Sequence, residues 1–256
     1  MPSWDAEQYA KFKRERTLPA TDLARAIPTE DVKTVLDVGC GIGNSTAVLR
    51  ARFPHAHIVG ADNSDAMLAA ARESHPDLAF IRLDAAHDLP RHTARYDVVF
   101  SNACIQWIPD HPRLLAELFA LLNDGGYLAV QTPLQAKHPM HALIRLVAES
   151  DKWADKLPQK RLFYNLTDSG YYDVLAALSA NFRLWETVYM HEMPSHESLI
   201  EWYKGTGLRP FLEQLSPADG ECFLADIAAA LPALYPPQAN GHILFRFPRL
   251  FFLAQK

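Results

Sequence analysis

Cysteine is scarce in this chain, with three copies among 256 residues. Cys40, Cys104 and Cys222 form no spacing that suits a zinc site, and their odd number leaves no complete set of disulfides. We therefore expect a reducing, cytoplasmic setting and no bound metal.

Basic clusters and long apolar runs are also missing. Lys and Arg number 25 against 30 Asp and Glu, which gives a formal net charge of −5, and no block of basic residues stands out. Nucleic acid is therefore not an expected partner, because phosphate binding needs clustered positive charge. No apolar run approaches the roughly 20 residues of a membrane span, so no membrane partner is expected either.

What the chain does have is a regular alternation of strand-like and helix-like segments. Strands are predicted at 34–38, 57–61, 79–83, 96–101, 127–132, 182–193 and 243–253, and helices at 45–53, 65–74, 112–122, 141–150 and 170–180, with further helical residues over 195–240. This order indicates one α/β domain over residues 1–256, built on a doubly wound, mostly parallel seven-stranded sheet. The long insertion before the last strand suits a sheet that closes with an antiparallel pair.

The most informative segment is 35–46, where a strand containing Asp37 leads into Gly39, Gly41 and Gly43 and then a helix. Glycines at such a turn let backbone N–H groups approach a ligand at the positive end of the helix. The segment therefore predicts a nucleotide-type cofactor site. Asn44 occupies the position where a dinucleotide fingerprint needs Gly or Ala, which disfavours NAD and FAD.

Polar residues follow the next three predicted strands. Asp62 lies about 20 residues beyond the glycines, where a carboxylate suits ribose hydroxyls. Asp84 could accept the amino group of an adenine, and Asn102 ends the fourth strand. Each of these residues alone reads as an ordinary strand end, whereas their order together favours a cofactor site. Met67, in the first turn of a helix, is either an adenine contact or a core filler.

These features resemble class I S-adenosylmethionine-dependent methyltransferases. A closer resemblance extends over nearly the whole chain. The motifs that carry it are Gln8-Tyr9, Phe12, residues 15–17 with Pro19-Ala20, residues 37–46, Asn102-Ala103, Gln106-Trp107 with residues 108–111, Gly-Leu-Arg-Pro at 207–210, Tyr235-Pro236 and Phe-Pro-Arg-Leu-Phe at 247–251. With these motifs the chain resembles the trans-aconitate 2-methyltransferase family. The C-terminal motifs are the most specific, because no general cofactor site needs them.

The resemblance implies a binding site for S-adenosylmethionine as methyl donor. The residues that would contact it are Tyr9, Arg16, Asp37, Gly39, Cys40, Gly41, Asp62, Asn63, Met67, Asp84, Ala85, Asn102, Ala103 and Gln106. Cys40, inside the glycine turn, also reads as a small filler. Residues 1–27 form either a packing helix or a lid over the cofactor. Residues 133–172 and 195–241 are expected to cap the acceptor pocket.

The resemblance also implies methyl ester formation on a small polycarboxylic acid. A carboxylate with its usual pKa near about 4 is already ionised at neutral pH, so no catalytic base is expected. The remaining carboxylates would be held by Arg forks. The candidates are Arg209, Arg249 and Arg246, with Tyr164, Tyr171 and His191 as hydrogen-bond donors and Trp107 as a wall of the methyl site. For the arginines the ordinary alternative is a solvated surface charge, and for Trp107 it is a core position. The pairs His55/His57 and His138/His141 are interpreted as surface histidines.

One segment departs from the family pattern. Thr132-Pro133-Leu134-Gln135 stands where a Met-Pro-Asp-Asn type of segment is expected. This loop borders the acceptor pocket in such folds, so a methyltransferase for another small or carrier-bound acceptor stays an alternative. A separate alternative is a module that binds the methyl donor without transferring it.

Overall fold

The structure is a computed structural model, and it describes residues 13–28, 31–158 and 163–256. The α-helices in these residues are α1 (Lys13–Ala26), α2 (Asn44–Arg52), α3 (Asp65–Ser74), α4 (His111–Ala120), α5 (Pro139–Ala148), α6 (Asp168–Leu178), α7 (His196–Lys204), α8 (Arg209–Leu212) and α9 (Pro217–Leu234). The strands are β1 (Thr34–Val38), β2 (His57–Asp62), β3 (Ala79–Arg82), β4 (Tyr96–Asn102), β5 (Leu122–Pro133), β6 (Asn181–Met193) and β7 (Ile243–Gln255). Short 3₁₀ turns lie at Leu89–Arg91, Ile105–Trp107 and Gln135–Lys137.

The strands form one seven-stranded sheet in the order β3-β2-β1-β4-β5-β7-β6. The pairs β1–β2, β1–β4, β2–β3 and β4–β5 are parallel, and β5–β7 is antiparallel. The predicted mostly parallel α/β sheet is therefore confirmed. Strand order reverses between β1 and β4, and ligands of open α/β sheets bind at such a point, outside the carboxyl ends of the strands.

Local sequence explains why the elements around this point form. Strand β1 is buried along four of its five residues, as expected of a central strand covered on both faces. Ser64 caps the start of helix α3, and its hydroxyl accepts a hydrogen bond from the Met67 N–H at 3.4 Å. This is the usual way in which a serine satisfies one of the open N–H groups at a helix start.

Most predicted bounds agree with the structure within two residues, and β5 is the exception. The prediction began β5 at residue 127, after a turn at Gly125-Gly126, but the strand begins at Leu122. Leu122 pairs with Tyr96 of β4, and the register shifts between Tyr96 and Val98. Gly125 accommodates the irregular backbone with a φ of +78°. The turn is therefore an irregularity within the strand, which the composition alone could not distinguish from a strand start.

Contacts divide the chain into two compact units. Among the described residues, the first unit comprises 134–158 and 188–248, and the second comprises 13–28, 31–133, 163–187 and 249–256. Most of the residues predicted to cap the acceptor pocket belong to the first unit. In the part of the chain that the structure covers, no helix is long and apolar enough to cross a membrane.

The interpretation of His138 as a surface histidine is wrong. Its side chain is 1% exposed in the core of the first unit, and its ring contacts those of Tyr203, Phe245 and Phe247. Its Nδ1 atom accepts a hydrogen bond from the Met140 N–H at 3.2 Å and so caps helix α5. A buried imidazole with a satisfied nitrogen fits an aromatic core, which the local polarity of the sequence did not indicate.

Candidate functional site

The glycine turn between β1 and α2 is built from three residues with positive φ. The values are +75° at Gly39, +55° at Gly41 and +87° at Gly43, a region that L side chains rarely adopt. A Cβ on Gly39 would lie 2.2 Å from the Sγ atom of Cys104, so only glycine fits there. A Cβ on Gly41 would meet nothing within 4 Å. Gly41 therefore faces open space, where a ligand can approach the backbone.

The N–H groups of this turn are used within the protein. Gly39 and Cys40 both donate to the carbonyl of Ala61 at the end of β2, at 2.8 and 3.0 Å. Gly41 donates to Oδ2 of Asp62 at 2.9 Å, and Gly43 donates to the carbonyl of Cys40 at 3.0 Å. These N–H groups therefore have partners within the protein, and their contact with a ligand stays a prediction. The sequence shows that glycines are present but not where their amides point.

Asp37 lies fully buried under the turn. Its Oδ2 atom accepts hydrogen bonds from the hydroxyls of Ser45 and Thr46, both at 2.7 Å, at the start of α2. Burial raises the pKa of this carboxyl to about 6, although the two hydroxyls act in the opposite direction. Asp37 therefore fixes the turn to the first residues of α2, and its contact with a cofactor stays a prediction.

Asp62 is the acidic side chain nearest the open face of the turn. Besides accepting from Gly41, it accepts from the N–H of Ser64 at 2.9 Å through Oδ1. Burial raises the pKa of Asp62 despite these N–H groups. Each carboxylate oxygen carries a second lone pair, so the group can still accept hydroxyl protons from a ligand. The two N–H bonds fix the orientation of the carboxylate, and its contact with a ligand stays a prediction.

Three further residues predicted to contact the methyl donor are Asp84, which follows β3, Met67 on α3, and Cys40 in the glycine turn. Asp84 is half-buried, and its Oδ1 atom accepts from the Ala86 N–H at 3.0 Å. Met67 is 4% exposed. Cys40 is also buried, in an apolar cluster with Leu68, Ala71, Leu78 and Phe80, which agrees with its reading as a filler.

Four more residues were predicted to contact the methyl donor. Asn63 is half-buried and Ala85 is buried. Tyr9 and the side chain of Arg16 lie outside what the structure describes.

Asn102, Ala103 and Gln106, at the end of β4 and after it, were also predicted to contact the methyl donor. The Oδ1 atom of Asn102 is buried and has no hydrogen-bond partner among the described residues. Ala103 has a φ of +54°, a conformation that costs a non-glycine residue on the order of 1 kcal/mol and is found at functional sites. The Gln106 amide holds this residue by donating to the Ala103 carbonyl at 2.7 Å.

Arg249 is buried on β7, opposite Pro133 at the end of β5. Its Nη1 atom donates to Oε1 of Gln131 at 3.3 Å. The Nε2 atom of Gln131 is buried without a partner in the described part of the chain. Among the arginines predicted to clamp the acceptor, Arg249 is thus the one placed at the carboxyl edge of the sheet in the second unit.

Tyr171 is fully buried on α6. Its hydroxyl lies 2.7 Å from Nδ1 of His111 and 3.4 Å from Nδ2 of Asn165. Asn165 also donates to Oγ1 of Thr132 at 2.9 Å. His111, Asn165 and Gln131 were not predicted as site residues. Two signals were available: His111 belongs to the motif over residues 106–111, and the polar pair Gln131-Thr132 stands at the end of a buried apolar strand.

Trp107 and Tyr164 lie close together in the second unit. The Trp107 ring is half-buried, with its centroid 4.9 Å from that of Phe163. The Tyr164 N–H donates to the Gln106 carbonyl at 3.0 Å. The 3₁₀ turn Ile105–Trp107 is therefore packed against residues 163–165.

The other acceptor candidates belong to the first unit. The Nε atom of Arg209 pairs with Oε1 of Glu213 at 3.0 Å, one helical turn away. Arg246 is exposed. His191 is 5% exposed, and its ring lies 5.3 Å from that of Trp202. Their roles as acceptor contacts stay predictions.

Comparisons with known proteins agree with this geometry. A family model described as a methyltransferase domain matches residues 35–126. A YcgJ protein from Bacillus subtilis shares the fold at 14% identity, with a TM-score of 0.63 and coverage of 93% of this chain and 98% of that one. A phosphoethanolamine N-methyltransferase 2 from Haemonchus contortus, solved with phosphomonomethylethanolamine and S-adenosylhomocysteine, gives 18% identity and a TM-score of 0.56 over 94% of this chain and 52% of that one.

The sequence relationship is closer than these structural ones. A trans-aconitate 2-methyltransferase of Rhodopseudomonas palustris (strain BisB18) is 45% identical over 258 residues, covering 100% of this chain and 100% of that protein. Because this likeness runs over the full length of both proteins, the chain belongs to the trans-aconitate 2-methyltransferase family.

Proposed function

We propose that this protein transfers a methyl group from S-adenosylmethionine to a carboxylate of a small polycarboxylic acid. Trans-aconitate is the acceptor we propose, and its monomethyl ester and S-adenosylhomocysteine are the products. The observation that carries the proposal is the hydrogen bonding of the glycine turn, in a chain of this family. The N–H groups of Gly39, Cys40, Gly41 and Gly43 are all used within the protein.

A pyrophosphate needs N–H donors at such a turn. The ends of the neighbouring strands instead present oxygen acceptors, Asp62 at the end of β2 and the unpartnered Oδ1 of Asn102 at the end of β4. Acceptors suit a ligand that carries positive charge and hydroxyl or amino protons, as S-adenosylmethionine does. The residues present therefore fit the proposed methyl donor better than a dinucleotide.

Each of these hydrogen-bonding oxygens, and Asp84 with them, has a proposed part in holding the methyl donor. Asp62 takes the ribose hydroxyls, Asp84 takes the adenine amino group, and the Asn102 amide oxygen takes the ammonium group. The open space at Gly41 admits the ligand to the backbone. When bound, S-adenosylmethionine supplies a methyl group that its positively charged sulfur makes electrophilic.

The protein has little proton chemistry to perform on the acceptor. A free carboxylate is ionised at neutral pH, so the attacking oxygen already carries its lone pair. The protein must orient that oxygen and exclude water, and orientation alone can supply roughly 7–11 kcal/mol of the barrier. Arg249 is proposed to hold a carboxylate that does not react, because tight pairing would make the reacting one a weaker nucleophile.

The test is turnover by the purified protein with labelled S-adenosylmethionine and a panel of acids. We expect S-adenosylhomocysteine to form when trans-aconitate is added and not without an acceptor, with the monomethyl ester identified by mass spectrometry. If product forms only with a different acid, that acid and not trans-aconitate is the methyl acceptor. Donor binding without product from any acid would favour a non-catalytic module. Micromolar binding of NAD by calorimetry would contradict the argument from the turn.

A further inference from the structure

A buried hydrogen-bond chain in the second unit begins at His111, the first residue of α4. The Nε2 atom of His111 lies 2.8 Å from the carbonyl oxygen of Ile105, and Nδ1 lies 2.7 Å from the hydroxyl of Tyr171. His111 is 1% exposed and Tyr171 is fully buried. The contact with Tyr171 does not follow from the sequence, because 60 residues separate the two side chains.

The partners fix the direction of these bonds. A carbonyl oxygen only accepts, so Nε2 of His111 carries the proton and donates to Ile105. In the neutral ring Nδ1 is then an acceptor, and the Tyr171 hydroxyl donates to it. The Tyr171 oxygen in turn accepts from Nδ2 of Asn165 at 3.4 Å.

A second arm continues from Asn165. Its Nδ2 atom also donates to the hydroxyl oxygen of Thr132 at 2.9 Å, and that hydroxyl donates to Oε1 of Gln106 at 3.3 Å. The Gln106 amide nitrogen then donates to the carbonyl of Ala103. The two arms join Ala103 and Ile105 to each other through Thr132 at the end of β5.

Ala103 and Ile105 belong to segment 103–107, which follows β4, so the hydrogen-bond chain holds this segment at two residues. The segment contains Ala103 with its φ of +54°, and it ends at Trp107, whose ring rests on Phe163. A strained residue keeps its conformation only when its surroundings determine it. The hydrogen-bond chain supplies that restraint for this segment.

We propose that Tyr171 and His111 are positioning residues that hold segment 103–107 in the geometry needed for methyl transfer. This inference rests on the proposed function, since the segment lies between the proposed donor contact Asn102 and the proposed wall Trp107. The Tyr171 hydroxyl acts on the protein and not on the acceptor, which replaces its predicted role as an acceptor contact.

The experiment compares Tyr171→Phe with Tyr172→Phe. Tyr172 is the next residue of the same helix and is 55% exposed. Tyr172→Phe removes the same hydroxyl group, so it is a matched control. We expect Tyr171→Phe to lower kcat roughly 10- to 100-fold, because small misplacements near reacting atoms have effects of this size. The dissociation constant of S-adenosylmethionine should rise by less than about threefold, because Asp62 on β2 and Gly41 in the turn after β1 lie outside this segment. Tyr172→Phe should behave as the unmodified protein.

A purely structural role predicts a different result. Tyr171→Phe would then lower the melting temperature and leave kcat unchanged at temperatures well below it, and this outcome would overturn the proposal. If Tyr171→Phe fails to fold, Asn165→Ala, in the segment before α6, breaks the second arm and should show the same loss of kcat.

A readout independent of activity separates this inference from the proposed function. In protein labelled with ¹⁵N-histidine, the signal of His111, identified by its loss in His111→Gln, should report the Nε2–H form, and its Nδ1 shift should move in Tyr171→Phe. An Nδ1–H form would overturn the hydrogen-bond chain even if methyl transfer is found. An unmodified protein that forms no ester from any acid would overturn the proposed function, whatever the spectrum shows.

Discussion

The two ends of the carboxyl edge of the sheet differ in the chemistry of their side chains. At the ends of β1, β2 and β3 the functional groups are carboxylates, those of Asp37, Asp62 and Asp84. Near the ends of β4 and β5 they are the amides of Asn102 and Gln131, and on β7 the buried guanidinium of Arg249 lies opposite the end of β5. Both groups belong to the second unit.

This difference matches the charges of the two proposed substrates. The methyl donor is a cation with protons to donate, and the acceptor is a polyanion. We propose that an edge that changes from acidic to amide and basic groups separates the two substrates by charge, with methyl transfer between β1 and β4. Substitutions at the acidic end should therefore act on the donor and on the turn, and substitutions at the other end should act on the acceptor.

The largest effect is expected at Asp37, in the stability of the protein. Its folded-state pKa of about 6 lies above the ordinary value of 3.8, so the folded protein binds this proton more tightly than the unfolded chain. The free energy of unfolding should therefore fall as pH rises from about 4 to 6, by on the order of 3 kcal/mol. Asp37→Asn should remove this decline, measured by urea unfolding across that pH range.

Asp97 provides the control for this prediction. Burial acts to raise its pKa, but hydrogen bonds from Asn123, Lys33 and Thr34 outweigh it and hold the pKa below the ordinary value. Its contribution to stability is present above the unfolded-state pKa and is lost as pH falls. Asp97→Asn should therefore change the pH dependence in the opposite sense. Equal profiles for Asp37→Asn and the unmodified protein would contradict the interpretation of Asp37.

Asp62 should give the next largest effect, on donor affinity. Asp62→Ala removes the proposed ribose contact and the partner of the Gly41 N–H, so the dissociation constant of S-adenosylmethionine should rise about 30-fold, or about 2 kcal/mol. Calorimetry measures it directly. Asp65→Ala is the matched control, because Asp65 is an exposed carboxylate paired on the surface with Arg82. If both variants bind the donor equally well, Asp62 has no role in the site.

The sequence predicted the acidic end of the edge better than the other end. Asp62 and Asp84 follow short apolar strands at regular intervals, so local pattern alone places them at one edge. Arg249 and Gln131 are 118 residues apart, and Tyr171 reaches His111 across 60. Such contacts depend on the order of strands and on the packing of α6, which no local pattern contains. For the same reason the direction of the turn's N–H groups was not predicted.

A smaller effect, on the KM of the methyl acceptor, is expected at Arg249 at the basic end of the edge. Arg249→Lys keeps the charge but loses the planar fork, so the acceptor KM should rise about tenfold while donor affinity stays unchanged. Steady-state kinetics with each substrate varied separates the two. Arg246→Lys, on the same strand but exposed, should change neither constant. A larger effect at Arg246 than at Arg249 would move the proposed clamp out of the second unit.

The smallest effect is expected at Gly41, where strain and ligand contact can be separated. Gly41 and Gly125 both have positive φ and open space at a Cβ position, so alanine at either should cost a similar strain of about 1 kcal/mol. Gly125 lies within β5 and has no proposed ligand contact. Gly41→Ala should therefore weaken donor binding severalfold beyond Gly125→Ala, at equal loss of thermal stability. If the two variants bind the donor alike, the space above Gly41 is not part of the site, and the acidic end must hold the donor by side chains alone.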